Sequence, residues 1–239
     1  MEYKTSIEIF RKYFERQLEQ ARKTMEKSER YNHPFITISR LTGAGGVNFP
    51  EILVHHLNEN DKKTETGWMF FDKDILELVL EEHNLPKEIS KYMPEGKISE
   101  FQDVIEQLFG LHPSGHKLVT KISDTILHLS HLGNVVLVGR GSNIITSYNK
   151  NGIHLRLVDS LENRIGKVQK FFKLSRVEAL RVIQNEDKER TYYIKKYFGK
   201  DINSSNLYTL IINFELIKVD DVIELICDEI VKIRKRINQ

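Results

Sequence analysis

A glycine-rich stretch after the first apolar run constrains most strongly what this chain can fold into. The run Phe35–Ser39 is short and rich in β-branched residues, and the segment Arg40–Val47 reads RLTGAGGV. β-Branched residues favour strands, and glycine permits the positive φ angles that tight turns need. An amphipathic helical pattern follows from about Pro50 to Asn58. This order of strand, glycine turn and helix is typical of loops whose backbone N–H groups bind phosphate.

Two residues of the usual phosphate-binding loop are missing. The pattern G-x-x-x-x-G-K-[ST] ends in a lysine and a hydroxyl, whereas Val47 and Asn48 occupy those positions here. A plain strand-to-helix turn is the alternative to a binding loop. The predicted phosphate-binding residues are Gly43, Ala44, Gly45, Gly46 and Val47.

Pro50 restricts where the following helix can begin. A proline is tolerated only within the first helical turn, because it lacks an N–H and its ring clashes with the preceding turn. The helix is therefore expected to start no earlier than about Gly46, or after Asn48 as its N-cap residue.

Composition excludes several classes of protein. A chain of 239 residues with 40% apolar content can bury a sizeable core, and its net charge of +2 gives no reason to expect a nucleic-acid partner. The single cysteine, Cys227, excludes an internal disulfide. There is no secretory signal and no apolar run of about 18 residues, so we expect a cytoplasmic chain without a membrane span.

The chain alternates strand-like and helix-like segments after a charged N-terminal region. Residues 1–33 form a predicted amphipathic helix, which could pack on the rest of the chain or on a second subunit, so a homodimer stays open. The basic segment 159–189 is predicted as one helix, with a second helical patch as far as Phe198. The alternation predicts an α/β fold with a parallel sheet and helices on both faces. The predicted strands are 35–39, 68–71, 135–138, 153–158 and 207–213.

Charged residues follow the first two strands. Arg40 is the nearest candidate to replace the charge of the missing lysine, and Lys73 is a second candidate. Ligands bind at the carboxyl ends of parallel strands, so Asp72 could contact an acceptor or assist a metal ion, and it could equally cap the next helix. The hydroxyl of Thr42 could replace the missing metal ligand. A strand-end ion pair is the alternative for Arg40 and Lys73.

A third charged residue follows the most apolar strand. Arg140 lies between Gly139 and Gly141, directly after the run 135–138. A guanidinium matches a phosphate in bidentate geometry, so Arg140 is predicted to bind phosphate, with a structural ion pair as the alternative.

Seven short motifs in this order resemble the cytidylate kinase-like family of P-loop proteins, and together they span the chain from about Phe35 to its end. They are Ile38–Arg40 with Gly43–Gly46, Phe71–Lys73, Val138–Asn143, His154–Val158, Asp187–Arg190, Tyr197–Asp201 and Leu207–Asn213. In this family the loop lysine is commonly absent. The sequence departs from the family pattern at Ala44, at Gly141 in place of an acidic residue, and at Phe214 in place of a small or hydroxyl residue.

The resemblance implies a P-loop NTPase-like fold and an ATP-dependent phosphotransferase that uses Mg²⁺ and a nucleoside monophosphate acceptor. It implies a kinase-like domain at 34–239, an acceptor region at about 84–116 and a mobile helical lid at about 160–200. Arg164 and Arg190 of the lid would contact the transferred phosphate, although Arg190 and Asp187 lie three residues apart and could pair with each other. The implied acceptor-binding residues are Asp72, Lys73, Arg140 and Asp187, and the predicted catalytic residues are Arg40, Arg140, Arg164 and Arg190.

Two further functions stay open at this stage. One is a nucleotide-binding sensor or assembly protein without kinase turnover. The other is a kinase for a small molecule that is not a nucleotide.

Overall fold

A computed structural model of the chain describes residues 33–46, 48–60, 67–72 and 115–237. The predicted N-terminal helix lies outside the described residues apart from His33, and the predicted acceptor region lies outside them apart from its last two positions. Val47 and Lys73 also lie outside, so their roles stay predictions.

Five parallel strands form one sheet with the order β2-β3-β1-β4-β5. They are β1 (Phe35–Arg40), β2 (Met69–Phe71), β3 (Val135–Val138), β4 (Gly152–Val158) and β5 (Leu210–Asn213). β1 is the central strand, between β3 and β4. Because parallel strands end at the same edge of a sheet, the segments after β1, β2 and β3 meet there.

Helices cover both faces of this sheet, as the alternation predicted. On one face Ile36 of β1 packs with Leu53 and Ile226, and on the other Leu137 of β3 packs with Ile126. All four residues of β3 are apolar and buried, as expected for a strand that is covered on both faces. The described helices are α1 (Phe49–Asn60), α2 (Gly115–Leu132), α3 (Ser142–Ile145), α4 (Leu161–Phe172), α5 (Arg176–Phe198) and α6 (Val219–Ile237), with a 3-10 turn at Ser205–Leu207.

The predicted continuous helix over 159–189 is instead two helices, and α5 continues without a break to Phe198. Lys173 ends α4 in the left-handed conformation with φ of +54°. Ser175 then caps α5, and Glu178 returns the bond to the Ser175 N–H, which completes a capping box. This S-x-x-E signal is local and strong enough to start a new helix, and it explains why the break falls here rather than near 189.

The last strand is shorter than the sequence predicted, because it begins at Leu210 rather than Leu207. The N–H of Tyr208 donates to the carbonyl of Ser205 and closes the 3-10 turn, so these residues are not available to pair with β4. Across the parts of the chain that are described, no helix is both long enough and apolar enough to cross a membrane.

Candidate active site

The glycine turn after β1 has the backbone conformation that its composition predicts. Gly43, Gly45 and Gly46 have φ angles of +82°, +73° and +87°, a region that glycine enters at little cost. α1 then begins at Phe49 and holds Pro50 in its first turn, as the restriction by proline requires. The first turn of α1 therefore lies beyond the glycines rather than among them.

Part of the hydrogen-bonding capacity of this turn is used within the turn itself. The N–H of Ala44 donates to the carbonyl of Leu41 at 3.0 Å, and the N–H of Gly46 donates to that of Gly43 at 3.4 Å. Within the described residues, the N–H groups of Gly43 and Gly45 have no hydrogen-bond partner. These two donors are the backbone groups of the turn that fit an anionic oxygen.

Phe214, one of the departures from the family pattern, packs directly on this turn. A Cβ placed on Gly45 would lie 2.7 Å from Cε2 of Phe214, so no side chain fits there. The Phe214 ring also meets the ring of Phe49 edge-on, with centroids 5.2 Å apart. The ring thus contacts both the glycine turn and the start of α1, and Gly45 is needed for its close approach.

Asp187 of α5 joins the predicted lid to the segment just before the glycine turn. Oδ1 of Asp187 accepts hydrogen bonds from the N–H of Thr42 at 2.8 Å and from its hydroxyl at 2.9 Å. The other carboxylate oxygen of Asp187 pairs with Nη1 of Arg164 at 2.6 Å. A carboxylate of the chain therefore occupies a backbone donor and a hydroxyl next to the glycines.

Arg190 extends this arrangement. Its Nη1 donates to the hydroxyl oxygen of Thr42 at 2.5 Å and lies 3.3 Å from Asp187, while its Nη2 pairs with Glu186 at 2.8 Å. The predicted alternative, an ion pair between Asp187 and Arg190, is present. We call these residues the Thr42 cluster: Thr42, Arg164, Glu186, Asp187 and Arg190.

Arg40, Arg140 and Arg190 line one small, open cleft at the carboxyl edge of the sheet. Nη2 of Arg40 pairs with Asp72 at 2.9 Å, so the predicted alternative for Arg40, a strand-end ion pair, is also present. Nη1 of Arg40 is buried and has no hydrogen-bond partner among the described residues. Arg40 therefore faces the cleft, and no hydrogen bond joins it to the described glycines at 43–46.

The turn after β3 presents Arg140 to the same cleft. Gly139, Arg140 and Gly141 have φ angles of +74°, +54° and +71°, and Arg140 is 3% exposed. A positive φ costs a non-glycine residue roughly 1 kcal/mol, and such strain is typical of functional sites. A Cβ on Gly141 would lie 2.6 Å from Cε2 of Phe198. Packing of α5 on this turn explains why glycine replaces the acidic residue of the family pattern.

Sequence reasoning missed two residues beside the cleft, Ser39 and Arg156. Ser39 lines the cleft and accepts a hydrogen bond from Nη1 of Arg156 at 2.8 Å. Arg156 lies within β4 and is only 4% exposed. A charged residue inside a mostly apolar strand, with Leu155 and Leu157 on either side, was the available signal.

The predicted metal ligands Thr42 and Asp72 bond to different partners. Thr42 belongs to the Thr42 cluster, and Asp72 pairs with Arg40. Over the described ranges, no group of three or more His, Cys, Asp or Glu side chains could hold a metal ion. Mg²⁺ commonly keeps several waters and uses one or two carboxylates plus substrate phosphates, so the residues present fit a cation carried by a nucleotide.

Solved structures are similar to this chain at low sequence identity. An uncharacterized protein from Eubacterium ventriosum ATCC 27560 is 18% identical with a TM-score of 0.59, and the match covers 83% of this chain and 98% of that one. Shikimate kinase from Bacteroides thetaiotaomicron is 11% identical with a TM-score of 0.42, covering 82% and 96%. A search of curated proteins finds no match.

A protein-family model gives the more specific result. The model described as the cytidylate kinase-like family matches residues 35–216, which is more than half of the chain. The match contains the glycine turn, the Arg140 turn, α4, α5 and β5. The chain therefore belongs to the cytidylate kinase-like family.

Proposed function

We propose that this protein is an ATP-dependent phosphotransferase whose acceptor carries a phosphate group, with nucleoside monophosphates as the first candidates. The observation that supports the proposal is the cleft lined by Arg40, Arg140 and Arg190. Three guanidinium groups around one cleft at the carboxyl edge of a parallel sheet suit an acceptor with at least two negative charges. Family membership supports the same reaction class.

The donor would bind beside the cleft. In the proposal the N–H groups of Gly43 and Gly45 hold a phosphate of ATP, and Thr42 and Asp72 offer oxygen ligands to Mg²⁺. When bound, ATP would supply the phosphoryl group and Mg²⁺ would neutralise charge on its phosphates.

The side chains of the cleft would contribute orientation and charge. Arg40 and Arg140 would hold the acceptor phosphate so that one of its oxygens faces the donor side, and Arg190 would contact both sides. Such positioning by fixed cations is the main protein contribution to phosphoryl transfer. No covalent enzyme intermediate is needed, because the acceptor oxygen itself is the nucleophile.

A second function, nucleotide binding without turnover, is favoured by the Thr42 cluster. Arg164 and Arg190, the lid residues predicted to contact the transferred phosphate, pair with Asp187 and Glu186. If these pairs persist with nucleotide bound, the lid arginines would signal occupancy rather than promote transfer. We also propose that residues 34–239 form one kinase-like domain with a lid at about 160–200. The N-terminal helix could then contact a second subunit in a homodimer.

The test is ATP turnover over a panel of nucleoside monophosphates, sugar phosphates and small acids without phosphate. We expect turnover only with acceptors that carry phosphate. Arg140→Gln should lower kcat/KM about 100-fold, because a charge-assisted bidentate contact is lost.

Arg176→Gln is the matched control, since Arg176 lies on the exposed surface of α5 and pairs only with Glu162. It should leave kcat/KM within about twofold. Saturable ATP binding without turnover on any acceptor would support the second function. Turnover restricted to acids without phosphate would identify a different small-molecule kinase, and failure to bind nucleotide would reject both proposals.

A further inference from the structure

A buried cation lies directly behind the cleft. Arg156 of β4 is adjacent in register to Ser39 of β1 and is 4% exposed. Its Nη1 donates to Oγ of Ser39 at 2.8 Å, and its Nη2 donates to Oδ1 of Asn203 at 3.4 Å. Both hydrogen-bond partners are neutral, and Arg156 forms no ion pair within the part of the chain that is described.

Burying a charged guanidinium costs free energy unless other groups compensate its charge. Burial lowers the pKa of Arg156, an effect that nearby Tyr208 and Asp187 oppose, whereas Arg190 and Arg164 add to it. The guanidinium stays charged at neutral pH, because arginine has by far the highest pKa of the side chains. A buried charge with only neutral partners is unfavourable, and an anion in the adjacent cleft would relieve this.

Ser39 connects this charge to the cleft. Its Oγ accepts from Arg156, so its own hydrogen is left to donate, and its hydrogen-bond partner is Oη of Tyr208 at a long 3.4 Å. The Tyr208 hydrogen itself goes to the carbonyl of Ile202 at 2.6 Å, so the Tyr208 oxygen can only accept from Ser39, and a charged phosphate oxygen would form a shorter and stronger bond with the same hydrogen. Ser39 lines the cleft, and a hydroxyl that accepts from a cation is a stronger donor than an isolated one.

An equivalent pair two residues earlier on the same strands lacks this charge. Thr37 bonds Nδ1 of His154 at 2.8 Å, and Thr37 is fully buried. Burial lowers the pKa of His154 to about 4, so that pair is neutral at neutral pH. Neither residue lines the cleft. Position at the strand end and charge therefore distinguish the Ser39–Arg156 pair.

We propose that Ser39 donates a hydrogen bond to a phosphate oxygen of the acceptor, and that Arg156 is a positioning residue that orients and polarises the Ser39 hydroxyl. The ligand class is a phosphate monoester with a dianionic group. This inference rests on the proposed function, in that it takes the cleft to be the acceptor site.

The experiment measures binding of inorganic phosphate and of nucleoside monophosphates to the full chain by calorimetry. Ser39→Ala should weaken binding about tenfold, because a hydrogen bond to a charged group is lost. Thr37→Val, the matched control, should change it less than about twofold. Arg156→Met should weaken binding at least as much as Ser39→Ala, and Arg156→Lys should restore part of the loss.

If Arg156 acts by positioning Ser39, the effects of substituting these two residues on phosphate binding should be coupled. In the Ser39→Ala background, Arg156→Met should have a clearly smaller effect than in the wild type. In turnover, Ser39→Ala should raise KM for the acceptor about tenfold and leave KM for ATP unchanged. A merely structural role for Ser39 would change both constants together.

The failures of the two proposals are distinguishable. Wild-type phosphate affinity in Ser39→Ala, with affinity lost in Arg140→Gln, overturns the role of Ser39 and leaves the proposed function in place. Phosphate binding that depends on Ser39 without any turnover overturns the kinase proposal and leaves the binding role. No saturable phosphate binding to the wild-type chain, or additive effects of Ser39 and Arg156, overturns the inference.

Discussion

Two glycine turns lie at the same edge of the sheet, yet only one of them presents a cationic side chain to the open cleft. The turn after β1, Gly43–Gly46, is contacted by Phe214 and linked to α5 through Thr42. The turn after β3, Gly139–Gly141, is contacted by Phe198 and presents Arg140 to the cleft.

The comparison shows that a glycine in such a turn can serve packing as well as binding. At Gly45 and at Gly141 an aromatic ring lies where a Cβ would be. Thr42, which directly precedes the first turn, bonds to carboxylates of α5, whereas Arg140 within the second turn adopts a left-handed backbone conformation. We therefore expect substitutions at the two turns to differ in sign for ligand binding, although both lower stability.

The largest effect is expected from restoring the family's acidic residue at the second turn. Gly141→Asp should lower the free energy of unfolding by about 3 kcal/mol, because a side chain enters the left-handed region and displaces the ring of Phe198. Urea denaturation measures this change.

A double-mutant cycle separates the two causes. In the Phe198→Ala background, Gly141→Asp should cost only the backbone part, about 1 kcal/mol. An equal cost in both backgrounds would mean that the ring is not what keeps position 141 a glycine.

A smaller loss is expected at the first turn, together with a gain in anion binding. Asp187→Asn should lower stability by about 2 kcal/mol, because Arg164 loses its half-buried partner. Pyrophosphate should then raise Tm more in the variant than in the wild type, since the donors of Thr42 no longer face a carboxylate.

Glu162→Gln provides the control for this second prediction. It removes an exposed ion pair with Arg176 at 2.7 Å, so stability and the response to pyrophosphate should stay almost unchanged. Identical pyrophosphate shifts in Asp187→Asn and wild type would show that Asp187 does not compete with an anion.

Phe214→Ser tests the aromatic cover of the first turn. The loss of the half-buried ring and of its contact with Phe49 should cost about 1.5 kcal/mol. Nucleotide affinity, measured by equilibrium binding, should rise if the ring restricts access to Gly45. Lower affinity would instead make Phe214 part of the binding surface.

The smallest effect concerns a residue that lies away from both turns. His154 has a pKa of about 4 because burial disfavours its charged form, whereas in the unfolded chain it titrates near 6.5. Its contribution to stability is therefore present above pH 6.5 and is lost as pH falls toward 4, by about 1 kcal/mol at pH 6.

Comparing wild type with His154→Gln in urea at pH 7 and pH 6 measures this contribution. The variant should lose less stability than the wild type on acidification. If both lose the same amount, the acid sensitivity does not come from His154.

Periodicity and turn chemistry predicted much of the fold, because these signals are local. The apolar run at 135–138 is a buried strand, and the glycines of the first turn adopt positive φ. The break between α4 and α5 was readable from Ser175 and Glu178 but was placed too late. The site was less predictable, since Thr42 and Asp187 are far apart in the chain, and their contact depends on how α5 packs.

The sequence alone determined the parallel α/β architecture, the glycine turn, the late start of α1 and the family of the chain, because each depends on residues that are neighbours in sequence. Only the tertiary structure decided which charges meet. It paired Arg40 with Asp72 and the arginines at 164 and 190 with carboxylates. It also placed Phe214 on Gly45, Phe198 on Gly141 and Arg156 behind Ser39. Electrostatics and close packing depend on distances through space, which the order of residues does not specify.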